Sequence, residues 1–186
     1  MSARSLRGLA TAAALLLALL SGWYYLMGTP QYSIYRFAVA IRDRDAAAAE
    51  RFVDVDRVAL AASDVVVGEY LAGNSRAARG IEALGQGTAR GAAAQALKPL
   101  VAARVRAEIR KTAAAQGSGT SGFLLPAGII GAFRRLDVAR EGPGAWVSYT
   151  DIRSGQTRFW MTQQPDRSWR ITEFDREWVR SHLKDG

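Results

Sequence analysis

Four carboxylates, Asp151, Glu173, Asp175 and Glu177, gather near the C-terminus. Two acids facing one cavity could share acid–base work, because burial raises a carboxyl pKa. A simpler reading is favoured: Asp175 caps a helix, Glu177 sits in its positive first turn, and Asp151 and Glu173 pair with nearby arginines. His182 is the only histidine. No His, Cys or carboxylate set stands at metal-ligand spacing around it, and a Ser–His–acid triad would have to recruit this terminal residue. The run Gly117–Gly122 (GSGTSG) has the small residues of a phosphate cradle, but Phe123-Leu124 stands where a P-loop needs lysine and a hydroxyl. The expectation is therefore no catalytic residue, no metal and no cofactor.

Two other sets could bind rather than react. Four of the five tryptophans fall within the last 41 residues. Cross-strand aromatic packing is the ordinary explanation. The alternative is a concave pocket for an apolar ligand or lipid, lined by Trp146, Trp160, Trp169 and Glu173. Strand alternation places Trp146 and Trp160 opposite Val147 and Phe159, so one of these sets is the less buried. The second set is Arg104, Arg106, Arg110 and Lys111, read first as a solvated helix face. Held near a bilayer, it would instead contact anionic lipid at about 1 kcal/mol per cation. Formal charge is +8, yet residues 136–186 carry eight basic and eight acidic side chains, so the excess is local. No aromatic residues interleave with the basic set, which argues against nucleic acid.

The N-terminus says where these groups sit. Arg4 and Arg7 precede 28 uncharged residues, Gly8 to Tyr35. The apolar part, 8–28, is about 20 residues long, enough as a helix for the roughly 30 Å hydrocarbon core. A cleaved signal needs a small-x-small site, and Ser21 to Gly28 offers none that convinces. Trp23, Tyr24 and Tyr25 suit the membrane–water interface. The favoured expectation is an uncleaved signal-anchor behind a basic tail, 1–7, with the C-terminal domain in the periplasm of a bacterial inner membrane. Secretion after cleavage is the alternative. The chain has no cysteine, which excludes a lipoprotein signal, disulfides and thiolate chemistry.

Residues 30–186 suffice for one domain. The first part, 30–135, is mainly helical. Pro30 opens a helix carrying Ile34, Phe37, Ala38 and Ile41. Asp45 caps Ala46–Phe52, and Asp54 or Asp56 caps a helix to about Leu71 with Val58, Ala61/Ala62, Val65 and Val66 inward. Residues 74–95 read as a loosely packed connector with one weak helix, followed by a helix from about Thr88 to Ala115 that Pro99 kinks or restarts. Residues 116–122 read as a flexible loop, and Phe123–Phe133 as a short buried element with Pro126 in its first turn. The last part, 136–186, changes to a two-residue period. Strands are expected at Leu136–Arg140, Ala145–Ile152, Thr157–Gln163 and Trp169–Phe174, joined by turns at Gly142-Pro143-Gly144, Ser154-Gly155 and Pro165-Asp166. A closing helix follows Asp175. The expected class is α+β: helices packed on a C-terminal antiparallel four-stranded meander.

The run Pro30-Gln31-Tyr32-Ser33-Ile34-Tyr35-Arg36, then Arg44-Asp45-Ala46 and Arg51-Phe52-Val53-Asp54, resembles the start of the bacterial Domain of Unknown Function 2939 family. Leu100-Val101 and Leu125–Ile129 resemble its middle section. The resemblance implies a similar N-terminal hydrophobic segment but brings no catalytic residue or ligand. The layout is also similar to nuclear-transport-factor-2-like or cystatin-like cones, a likeness of fold alone. Together these readings lead to a single-pass envelope protein acting by non-catalytic interaction, with the membrane surface or another envelope protein as partner. A pocket protein, or a carboxylate acid–base enzyme, is the alternative.

Overall fold

In the computed structural model, residues 3–75, 79, 86–115, 136–151 and 155–184 are described. The expected loop 116–122, the element Phe123–Phe133 and most of the stretch 76–85 lie outside them, as does Ser154 of the expected hairpin.

Helix α1 (Ala3–Met27) ends at Gly28-Thr29, where the chain bends by 75° into α2 (Pro30–Arg42). One hydroxyl serves both sides of the bend. Thr29 Oγ1 donates to the Leu26 carbonyl at 2.7 Å, which also takes the Thr29 N–H at 3.1 Å, and accepts the Tyr32 N–H as the N-cap of α2. Pro30, which has no N–H to lose, takes the first helical position. At the charged corner Arg44 adopts a positive φ of 60°. Asp45 then caps the short α3 (Ala46–Glu50) by accepting the Ala48 N–H at 2.8 Å. Asp54 caps α4 (Val55–Gly73) in the same way through the Arg57 N–H.

Between α3 and α4, Phe52-Val53-Asp54 runs parallel to one residue of the sheet. Phe52 accepts the Ile171 N–H at 2.9 Å, and Asp54 donates its N–H to the Ile171 carbonyl at 2.8 Å. Phe52-Val53-Asp54 thus covers part of a sheet edge, whose unpaired groups would otherwise invite another strand.

Helix α5 (Gln86–Ala115) continues through Pro99 without a break in assignment. Pro99 is exposed, so water can hydrate the carbonyl its ring leaves without a donor. The helix expected from about Thr88 begins at Gln86, and its first turns meet α4 through particular residues. Ala94 is buried, and Arg90 forks onto both Asp64 carboxylate oxygens at 2.7 Å. Lys98–Asp56 at 3.3 Å continues the same antiparallel pairing of α5 with α4.

The meander forms as expected: β1 (Leu136–Glu141), β2 (Gly144–Asp151), β3 (Gly155–Gln163) and β4 (Trp169–Phe174) are antiparallel neighbours in that order. A bulge at Trp160/Met161 shifts the β3–β4 register. Asp175 accepts the Glu177 N–H and caps α6 (Arg176–Lys184), which Arg180–Glu69 ties to α4 at 2.6 Å. The protein is α+β, and its helices gather on one face of the sheet. There Ala40, Ile41, Val58, Ala59, Ile109 and Ala113 share a core with Val147, Phe159, Met161 and Ile171. The inward set of α4 is Val58, Ala59, Val65 and Val67, with Ala61, Ala62 and Val66 half-buried. This helix is wedged against α5, β4 and α6 and so is buried on more than one side.

Candidate functional site

Alternation along β2 and β3 decides the tryptophan question. Ala145, Val147, Phe159 and Met161 face the helices and are buried, so Trp146 and Trp160 occupy the outer face and are half-buried. They are direct cross-strand partners with ring centroids 5.2 Å apart, meeting edge to face. The Arg158 guanidinium lies 4.5 Å above the Trp146 ring, a cation–π contact. Gly144 makes room beneath Trp160: a Cβ there would stand 2.0 Å from the indole. Glu173 is opposite Trp160 in the β3–β4 register, so it joins this surface. Thr172, the extra residue at the bulge, donates its hydroxyl to the Trp160 carbonyl at 3.4 Å or shares it with Thr162 at 3.2 Å.

Trp169 does not belong to this group. It is buried on the opposite face, where its Nε1–H donates to the Gly28 carbonyl at 2.9 Å and its backbone N–H to the Ser33 hydroxyl at 3.0 Å. The four-residue pocket expectation is corrected accordingly: Trp146, Trp160 and Glu173 share a face, and Trp169 anchors the sheet to the bend. The inner face is filled by Met161, Val147 and Trp169, all nearly inaccessible.

The bend between α1 and α2 is the second candidate region. The β3–β4 turn reaches it with Arg167, whose guanidinium sits 3.8 Å above the Tyr24 ring. Arg167 takes a positive φ of 68°, which the turn bonds Gln164 N–H to Ser168 O and Arg167 N–H to Gln164 O hold in place. Asp166 accepts from both the Ser168 hydroxyl (2.6 Å) and its N–H (3.0 Å); these bonds, with help from Arg170, hold its carboxyl below the usual carboxylate value. A Cβ at Gly28 would stand 2.8 Å from the Arg167 guanidinium, the far end of a flexible side chain, so the two approach closely here. On the other side, Trp23 meets Tyr32 edge-on at 6.1 Å, and Tyr32 contacts Tyr35 at 6.3 Å. Tyr24 and Tyr25 are exposed, like every described residue of α1 from Ala13 to Tyr25. Among the described residues no single helix is long and apolar enough to cross a membrane; Ala13–Met27 and Pro30–Arg42 pass only as a bent pair.

The basic set on α5 divides. With Ile109 and Ala113 inward, the 100° helical step puts Arg104 and Lys111 on the outer side and Arg106 and Arg110 on a flank. Arg110 reaches Glu50 at 3.8 Å and Lys111 reaches Glu108 at 3.5 Å. The expected single anionic-surface patch is thereby corrected to two partly neutralised pairs. Of the carboxylates, Asp175 caps α6 and Glu177 lies in its first turn, as expected. The side chains of Asp151, His182, Arg4 and Arg7 lie outside the described set. Among the described residues no group of His, Cys, Asp or Glu could hold a metal ion.

Sequence reading missed the roles of Gly28, Ser33 and Arg167. Each acts on a partner more than a hundred residues away, and only the Gly28-Thr29-Pro30 turn signal marks the spot. No curated protein and no solved structure matches the chain. One family, described as "protein of unknown function (DUF2939)", matches residues 17–112, just over half of the chain, and runs from α1 through the bend and the covered sheet edge into α5. The chain belongs to this family.

Proposed function

We propose that this chain is a single-pass, membrane-anchored envelope protein whose α+β domain acts by non-catalytic interaction on the periplasmic side of a bacterial inner membrane. The observation that carries the reading is the outer face of the sheet. It presents Trp146 and Trp160, half-exposed and framed by Arg158 and Glu173, while the core helices occupy the other face. Aromatic and arginine side chains surrounded by polar ones are the composition of a protein–protein contact. The filled inner face favours this reading over a ligand pocket. The anchor is supported by α1, whose Leu15, Leu16, Leu17, Leu19 and Leu20 are all more than half exposed although no polar side chain interrupts them. In water such a helix would be unstable; in lipid it is at home.

The test uses the full chain with a C-terminal tag. Protease added to spheroplasts should remove the tag. A photoreactive residue replacing Ser148, on the outer face, should give a discrete adduct with an envelope protein that disappears in Trp146→Ala/Trp160→Ala. A protected tag overturns the topology. An adduct indifferent to both tryptophans overturns the interaction face.

A further inference from the structure

We infer that α2 is a second membrane contact, lying in the headgroup layer of the bilayer that α1 crosses; the inference rests on the anchored reading and deepens it. Three observations meet here. The first is the angle: with α1 along the membrane normal, a helix bent from it by 75° runs nearly in the bilayer plane. The second is the pattern on α2. Ser33, Ala40 and Ile41 are buried toward the sheet, whereas Tyr32, Tyr35, Arg36 and Val39, at i, i+3, i+4 and i+7, form a separate stripe, of which Arg36 is exposed and the others half-buried. The third is direction. Tyr32 meets Trp23 of α1 edge to face, so this stripe continues the α1 surface rather than turning away from it.

The chemistry of the stripe suits that depth. Tyr rings place an apolar body in the acyl boundary and a hydroxyl in the headgroups, and an exposed arginine offers its fork to lipid phosphate. Arg167, stacked on Tyr24, brings a second cation to the same level from the sheet. Because Trp169 and Ser33 fasten β4 to this bend, the sheet inherits a fixed attitude to the membrane. The occupant of the α2 stripe is thus the headgroup layer itself.

The chain contains no cysteine, so single-cysteine variants report one site each. Leu17→Cys, Val39→Cys and Thr150→Cys of the full chain, each carrying an environment-sensitive fluorophore, are reconstituted in phosphatidylethanolamine–phosphatidylglycerol vesicles. Lipids bearing nitroxides at shallow or deep positions then quench by depth. Thr150 is the water control: its strand partner Gln156 lies seven residues, about 24 Å, along β3 from the bend end. The expected result is deep quenching at Leu17, shallow quenching at Val39 and none at Thr150. A quenched Leu17 with Val39 as unquenched as Thr150 overturns the α2 contact and leaves the anchor standing. An unquenched Leu17 overturns both. Should Val39→Cys fail to fold, the exposed Arg36→Cys gives the same reading.

Discussion

At the scale of single residues, two positions are fixed by what lies against them. Gly144 is needed because Trp160 fills the space its side chain would take. Gly144→Ala should force the indole off its place against Trp146, lowering stability by about 1–3 kcal/mol through overpacking; a lower urea midpoint and altered tryptophan emission would report it. Asp166 holds the turn that delivers Arg167 to Tyr24. Its pKa is lowered in the folded protein, first by the Ser168 hydroxyl bond and then by the Ser168 N–H. A depressed carboxyl contributes stability above its unfolded value and loses it as pH falls through the folded value. The Ser168 amide should therefore stay protected from exchange from neutral pH down to the usual aspartate range, and open only below it. Protection lost already near pH 6 would show that something other than this carboxylate holds the turn.

At the scale of elements, the caps and strands were legible because their signals are local. Asp45, Asp54 and Asp175 cap where their spacing to the next apolar run says they should, and the two-residue period located all four strands to within two residues. What local spacing could not convey is which face of the strands meets the helices. Trp146 and Trp169 look alike in sequence; the second is buried because Gly28 and Ser33 lie beside it. The first turns of α5 find their place for a related reason. Small residues suggest loose packing, yet they let α5 lie close to α4 while Arg90 and Lys98 bind its acids. The split of the α5 cations, by contrast, was readable from the spacing of Arg104 and Arg106. Caps also separate from charges by experiment. Asp54→Ala should cost about 1 kcal/mol in urea unfolding, since an N–H loses its acceptor. Asp56→Ala, which loses an exposed pair with Lys98 and a negative charge in the first turn of α4 but no hydrogen bond to the backbone, should cost less. Equal costs would mean that Asp54 acts by charge and not as a cap.

At the scale of the whole molecule, α1 and the domain are not separable at an arbitrary point. Gly28 supplies the acceptor for Trp169 and Thr29 the cap of α2, although both precede the first residue of the domain's first helix. A soluble chain beginning at Gly28 should be more stable than one beginning at Pro30 by about 2 kcal/mol, one buried hydrogen bond and one cap; equal thermal midpoints would refute this shared boundary. The same connectivity bears on self-association. On β4 the outward groups of Ile171 are taken by Phe52 and Asp54, and the Trp169 N–H by Ser33. Strand addition is thus blocked on that side, and among the described residues only β1 offers an unpaired edge. A sheet with one open edge can join another like it about a two-fold axis, after which neither has an edge left. Among the described residues, growth through these edges ends at a pair for as long as Phe52-Val53-Asp54 stays in place.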